Sequence, residues 1–333
     1  MDQTNKKDAS VVAGKKISLR PEDLKAGGLI PQRQKKTVTV RCMAPGGRVT
    51  SERLKKVAEV AEKYGRGLIH LSVRQSPEIL YVSLDKVGVA AQDLAEAGQL
   101  IASCGKRVRV PTACGGCEYN PNGLVDTQKL AQEVNDRFFG QDQHHKFKIA
   151  FSGCPIDCVN SRCNDLGFPG QVRPKLVEES CTGCELCVWA CGEGSLAMIE
   201  GLPVRDLDKC LNCGDCIKAC PFDAMVSGRA GVAVFVGGKR GKHPHVAYPV
   251  AELVPEDKVS EVIQAVIAWY QQNGKKGERL GFTIDRVGLD SLRAALKHVV
   301  GDLLLQQDDI RKPRWATLFF KGLVDTFPEY GKI

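Results

Sequence analysis

The run TVTVRC (37–42) alternates apolar and polar residues and reads as a strand, and APGG (44–47) after it reads as a turn. The period then changes. Leu54, Val57, Val60 and Ala61 recur at helical spacing over residues 50–64, with Ser51 or Thr50 as the cap. GLIHLSVRQ (67–75) and EILYVSL (78–84) return to strand patterns, and residues 86–103 to a helical one. A second patterned stretch opens with KRVRVPTAC (106–114), a strand that ends in a cysteine, and continues with a helix over 123–139. KFKIAFSG (146–153) is a further strand that runs straight into CPIDC (154–158). GVAVFVGG (231–238) resumes a strand, and amphipathic helices are expected over 258–272 and 290–300.

These patterns divide the chain. Residues 36–105 have the β-α-β-β-α order of a ferredoxin-like α+β unit. Residues 106–175 and 228–300 form a second, α/β unit, interrupted at 176–227 by a cysteine-dense insert poor in other apolar residues. Residues 1–35, with NKK, GKK and QRQKK runs, are expected to be a flexible or wrapping arm. Residues 301–333 form a tail whose Trp315, Phe319 and Phe320 would pack on the body or on a partner.

Composition narrows the chemistry. With 43% hydrophobic residues the chain can bury a substantial core. Fifteen cysteines without an apolar leader point to a cytoplasmic protein whose thiols ligate metal rather than form disulfides. No apolar run approaches the about 20 residues of a membrane span. The net charge of +8 is spread along the chain with few aromatics, which argues against nucleic acid as the partner. No GxGxxG follows a strand, so neither a nicotinamide nor a flavin site is expected.

The strongest motif lies in the insert. Cys181-x2-Cys184-x2-Cys187-x3-Cys191 is followed by Cys210-x2-Cys213-x2-Cys216-x3-Cys220-Pro221. This is the spacing of bacterial two-cluster ferredoxins, in which the fourth cysteine of each run ligates the other cluster. Cys181, Cys184, Cys187 and Cys220 would therefore hold one [4Fe–4S] cluster, and Cys191, Cys210, Cys213 and Cys216 the other. A zinc site would need four such ligands, not eight in this cadence. Two adjacent clusters make an electron wire, which requires a donor and an acceptor.

The acceptor is expected around residues 146–163. Cys154 and Cys158 follow a strand end and can reach one cluster, and Lys146 and Lys148 alternate so as to share a face. Cys114 and Cys117 are the remaining candidate ligands of that unit. VRCMAPGG, IHLSVRQ, RVPTAC, KFKIAFSGCPIDC, the two-cluster insert and FVGGKRGKHP occur here in one order. That order resembles the sirohaem-containing nitrite and sulfite reductases, and among them the catalytic C subunits of anaerobic, dissimilatory-type sulfite reductases, from about residue 41 to 298.

The resemblance implies an α+β fold in which a sirohaem and a third [4Fe–4S] cluster share a thiolate. Carried over, Cys158 is that shared ligand, and Cys114 and Cys154 bind the cluster. The fourth ligand is Cys117, in a CxxC spacing with Cys114, or another group; the family's usual cysteine position is Asn120 here. Arg74, Arg109, Lys146 and Lys148 fall at the positions that bind the oxyanion and supply protons. Arg41, Gly46, Gly47, Gly238, Lys239 and Arg240 match contacts to the sirohaem carboxylates. The implied activity is sulfite reduction, with nitrite as the rival substrate and a sirohaem-free electron carrier as the rival outside catalysis. The implied partners are a ferredoxin or redox subunit as donor and, because this chain has one copy of a unit many members carry twice, a second copy or a related subunit. His70, His144 and His145 are read as structural or surface residues, Cys42 and Cys104 as core, and Cys163 as a minor ligand candidate.

Overall fold

The computed structural model describes residues 10–12, 15–17 and 21–305. Trp315, Phe319 and Phe320 lie outside that range. β1 (Ser10–Val12) pairs with β2 (Lys15–Ile17) as an antiparallel hairpin. Residues 21–35 are not a free arm. They form α1 (Pro21–Ala26) and β3 (Leu29–Pro31), and β3 pairs antiparallel with β4 (Thr37–Arg41). Short polar runs hide this strand, because only Leu29 and Ile30 carry an apolar signal.

α2 (Ser51–Tyr64) begins where Thr50 caps it, the Thr50 hydroxyl accepting from the Arg53 N–H. β5 (Ile69–Leu71), β6 (Pro77–Ser83) and α3 (Val87–Glu96) complete the first unit. Its sheet runs β3-β4-β6-β5, antiparallel throughout. Val38, Val40, Ile79 and Val82 from the sheet pack on Val57, Val60, Ala61, Ala90 and Leu94 from the helices. Leu54, expected on the same face, is instead 42% exposed and lies off the buried stripe. The expected strand over 67–75 stops at Leu71, because Ser72–Gln75 folds into a tight turn closed by the Gln75 N–H on the Ser72 carbonyl.

The second unit starts with β7 (Thr112–Ala113) and α4 (Gly116–Tyr119), then α5 (Thr127–Phe138), β8 (Ile149–Ser152) and β9 (Leu166–Leu176). Both expected strands here are shorter than their patterns. Pro111 has no N–H for a ladder, so residues 106–111 make only isolated bridges. Lys146–Lys148 is extended but outside the ladder: the Lys148 N–H donates to the Asp165 carboxylate instead. The insert contributes α6 (Leu186–Trp189), β10 (Leu196–Ile199), β11 (Leu202–Arg205) and α7 (Asp215–Lys218), with β10 and β11 as an antiparallel hairpin.

β12 (Met225–Val236) and β13 (Tyr248–Val254) resume the sheet, and α8 (Val259–Asn273), α9 (Leu280–Val287) and α10 (Leu289–Val300) follow. The sheet order is β13-β12-β9-β8-β7, parallel from β7 to β9 and antiparallel from β9 to β13. The chain leaves this sheet at the end of β9 and returns at the start of β12, where Met225 pairs with Leu176. The Val177 N–H on the Ala224 carbonyl closes the neck, so the insert is fixed to the sheet by both ends. Phe138, Phe147, Phe151, Phe168, Ile263 and Ile267 fill the main core.

Candidate functional site

The parallel strands β7 and β8 end side by side, and their C-terminal turns carry cysteines. Cys114 follows β7, and Cys154 follows β8 by two residues. The Cys114 sulfur accepts from the Gly153 N–H at 3.0 Å and from the Gly116 N–H at 3.5 Å. Such N–H groups stabilise a thiolate. Cys158 lies in the same cluster: burial pushes its thiol up, and the Cys114 and Cys154 sulfurs add to the shift. The intervening Asp157 has a left-handed φ of 55° and accepts from the Ser161 and Arg162 N–H groups, which fixes the loop that presents Cys158.

Cys117 stands apart from these three. It is exposed, and after burial the groups that most strongly push its thiol up are the carboxylates of Asp126 and Glu256. Asn120 caps the same short turn, its side chain accepting from the Asn122 N–H. Close packing explains the glycines nearby. A Cβ on Gly153 would lie 2.9 Å from the Gly116 Cα and 3.4 Å from the Cys114 sulfur. Gly153→Ala is therefore expected to lower stability by about 1–3 kcal/mol and to reduce the iron content of the protein. Iron analysis of that variant against wild type would check this.

The insert gathers its thiols in two sets. Cys191, Cys210, Cys213 and Cys216 line one cavity of about 200 Å³, together with Pro155 and Ile156 of the CPIDC loop. Cys181, Cys184, Cys187 and Cys220 line a second, tighter hollow of about 20 Å³. Among the described residues no three Cys, His, Asp or Glu side chains converge closely enough to hold a single metal ion. Each set surrounds a hollow, which is the arrangement a cubane needs from four thiolates. The first set abuts the loop between Cys154 and Cys158, whose residues do not line the second hollow.

The cationic residues converge as well. Arg41, Arg74, Arg109, Lys146 and Lys148 line one cavity of about 190 Å³. Arg74 and Lys148 also line an adjoining cavity of about 240 Å³ with Arg240, Cys158, Cys163 and Asn164. Arg74 reaches this position because the turn at 72–75 swings it off the sheet; its Nη2 donates to the Val110 carbonyl at 2.7 Å and its Nη1 to Asn164 at 3.3 Å. Burial lowers Arg74 to about 10, with repulsion from Arg109 and Arg41 adding to it. Burial likewise lowers Lys148 to about 8, helped by Arg74 and Arg279, and it lowers Lys146 and Arg109. The Arg109 Nε is buried without a partner. Only Arg41 among these has a carboxylate partner, Glu78; crowded, desolvated cations with an unsatisfied donor are a set that fits a polycarboxylate or an oxyanion.

Four other sequence candidates take different places. Gly46 and Gly47 line neither cavity. Their left-handed φ values of 61° and 76° make room for Gln128 and Gln75, against which any Cβ would clash. Those glutamines bridge the two units: Gln128 donates to the Gly46 and Cys114 carbonyls, and the Gln75 amide pairs with both backbone groups of Ala113. Gly238 lets the end of β12 approach Arg162 and Asn164. Lys239 lies over the Phe282 ring and donates to the His243 carbonyl, outside the cationic cavities.

Cys42 and Cys104 are buried, and Cys163 faces the same cavity as Cys158. His144 stacks edge-on against Tyr270, whereas burial depresses His145 to about 4. Two residues the sequence does not flag are central. Asp165 and Arg279 form a buried bidentate pair at 2.9 and 2.6 Å directly behind Lys148. A charged pair far apart in sequence leaves no periodic signal, although the lone Asp in an apolar strand approach (NDLGF) is a weak one.

Comparison with known proteins places this geometry. Residues 104–302 match the nitrite and sulphite reductase 4Fe-4S domain, and residues 30–97 the nitrite/sulfite reductase ferredoxin-like half domain. The chain is 33% identical to the coenzyme F420-dependent sulfite reductase of Methanocaldococcus jannaschii over 82% of its own length and 44% of the relative. It is 30% identical to an uncharacterized protein of the same organism, over 80% of this chain and 94% of that one. It is also 30% identical to the C subunit of the anaerobic sulfite reductase of Salmonella typhimurium, over 49% of this chain and 52% of the relative. The chain thus spans about half the length of two of these curated relatives.

Among solved structures, a dissimilatory sulfite reductase I overlays with a TM-score of 0.67 at 23% identity, over 84% of this chain and 72% of that chain. Mycobacterium tuberculosis NirA overlays at 0.62 and 19% identity, over 85% of this chain and 47% of that one. Among the described residues no helix is long and apolar enough to cross a membrane. By its two domain matches and its relatives over most of its length, the chain belongs to the nitrite and sulfite reductase family.

Proposed function

We propose that this protein is a sirohaem-dependent sulfite reductase that converts sulfite to sulfide with six electrons passed through its own insert. The observation that carries the reading is the convergence of Arg41, Arg74, Arg109, Lys146, Lys148 and Arg240 on two adjoining cavities, one of them walled by Cys158. A bare electron carrier has no use for a desolvated anion pocket, because burying so many cations together is costly. When bound, sirohaem would supply the iron that takes up the anion and the electrons. Arg74 and Arg109 would hold the anion by planar, multi-donor contacts, Arg240 would face the sirohaem carboxylates, and Lys146 and Lys148 would deliver protons as oxygens leave as water.

Cys114, Cys154, Cys158 and Cys117 would hold the coupled cluster. The insert would carry two more clusters in a fixed order. The Cys191, Cys210, Cys213 and Cys216 set shares its cavity with Pro155 and Ile156 and so would pass electrons to the CPIDC loop. The Cys181, Cys184, Cys187 and Cys220 set would receive them from a donor protein. The open anion cavities suit completion by a second subunit, as a homodimer or hetero-oligomer.

The test is the visible spectrum, iron content and turnover of anaerobically purified protein. Sirohaem bands, about thirteen irons per chain (three cubanes and one haem iron) and sulfite reduction faster than nitrite reduction are the expected result. Faster nitrite turnover would shift the assignment to a nitrite reductase. About eight irons and no sirohaem band, from cells that make sirohaem, would leave a two-cluster electron carrier.

A further inference from the structure

We infer that Cys104 is a positioning residue, whose sulfur holds the Arg41 guanidinium in the geometry of the anion cavity. The inference rests on the reading of that cavity as the sulfite pocket. Cys104 lies in the link between the two units and is only 5% exposed. Its backbone is pinned by its N–H on the Lys25 carbonyl at 2.8 Å. Its sulfur accepts from Arg41 Nη1 at 3.0 Å.

The flanking residues serve Arg109. The Gly105 carbonyl accepts from Arg109 Nη2 at 2.9 Å, and the Ser103 carbonyl lies 3.5 Å from Arg109 Nη1. Glu78 takes the remaining side of Arg41, at 2.7 Å from its Nε. Arg41, Ser103 and Arg109 all line the cavity, while Cys104 stands behind them. Two guanidiniums that repel each other across a desolvated space each need acceptors to stay there, and for Arg41 these are Glu78 and the Cys104 sulfur.

Anaerobic full-length holoprotein and its Cys104→Ala and Cys104→Ser variants would be compared for sulfite Kd, with iron content as the check that each folds and loads. Truncation to Ala is expected to weaken sulfite binding about tenfold, and Ser to recover part of the loss. Unchanged or tighter binding in Cys104→Ala would overturn the inference. A crystal structure of the Ala variant provides a readout that needs no sulfite. A displaced Arg41 guanidinium is expected there, and one left in place would overturn the positioning role. Wild-type protein that fails to bind sulfite would instead sink the reading of the cavity, and the variant structure would still decide the role of Cys104.

Discussion

Replacing Lys148 by Met is expected to lower sulfite turnover by about 10²–10⁴-fold and to remove an alkaline fall in rate that the wild-type protein shows above about pH 8. Burial, with Arg74 and Arg279 adjacent, brings the Lys148 ammonium down to about 8. A lysine acting as proton donor works in its protonated form, which predominates below its pKa. The wild-type rate should therefore hold below pH 8 and fall as pH rises through that value. Lys148→Arg separates the two tasks of the residue. It keeps the charge that binds the anion but not a proton that is easily released, so KM should stay near wild type while kcat falls. A Lys148→Met enzyme within threefold of wild type, or one that keeps the alkaline limb, would remove Lys148 from the chemistry.

Much of this site is legible in the sequence alone. The cysteine cadence of the insert assigns two sets of four thiols, and the structure gathers those same sets around separate hollows. Motifs mark Arg74, Arg109, Lys146 and Lys148, and the four meet in space. What the sequence hides is of one physical kind. Gly46 and Gly47 look like open backbone for a ligand, yet each is a socket for a glutamine that joins the units. The link between pattern and contact fails there because side chains distant in sequence decide what a glycine accommodates. Strand lengths are overstated for a related reason. The patterns at 67–75, 106–114 and 146–153 mark extended chain, but a tight turn, Pro111 and the Asp165 carboxylate each take the place of a ladder partner. Those interruptions are what place Arg74, Arg109 and Lys148 at the cavity instead of within a sheet.

The buried pair behind Lys148 carries the largest stability effect expected in this protein. Asp165 and Arg279 are almost wholly enclosed, and the fork of Arg279 meets both carboxylate oxygens. Asp165 also accepts from the Lys148 N–H at 2.9 Å. Asp165→Ala would leave a guanidinium buried without its partner beside other cations, at a cost of about 3–5 kcal/mol, seen as a marked drop in Tm. An apolar pair of similar volume should behave differently. Asp165→Leu with Arg279→Met leaves no orphaned charge and should recover most of that stability. It should not leave the pH profile alone. Arg279 depresses Lys148 more than Asp165 raises it, so losing both raises the Lys148 pKa. The alkaline limb then moves to higher pH. A double variant as unstable as Asp165→Ala would show that the pair is needed for packing rather than for charge balance. One with wild-type stability and an unmoved limb would show that Lys148 is not the group that titrates.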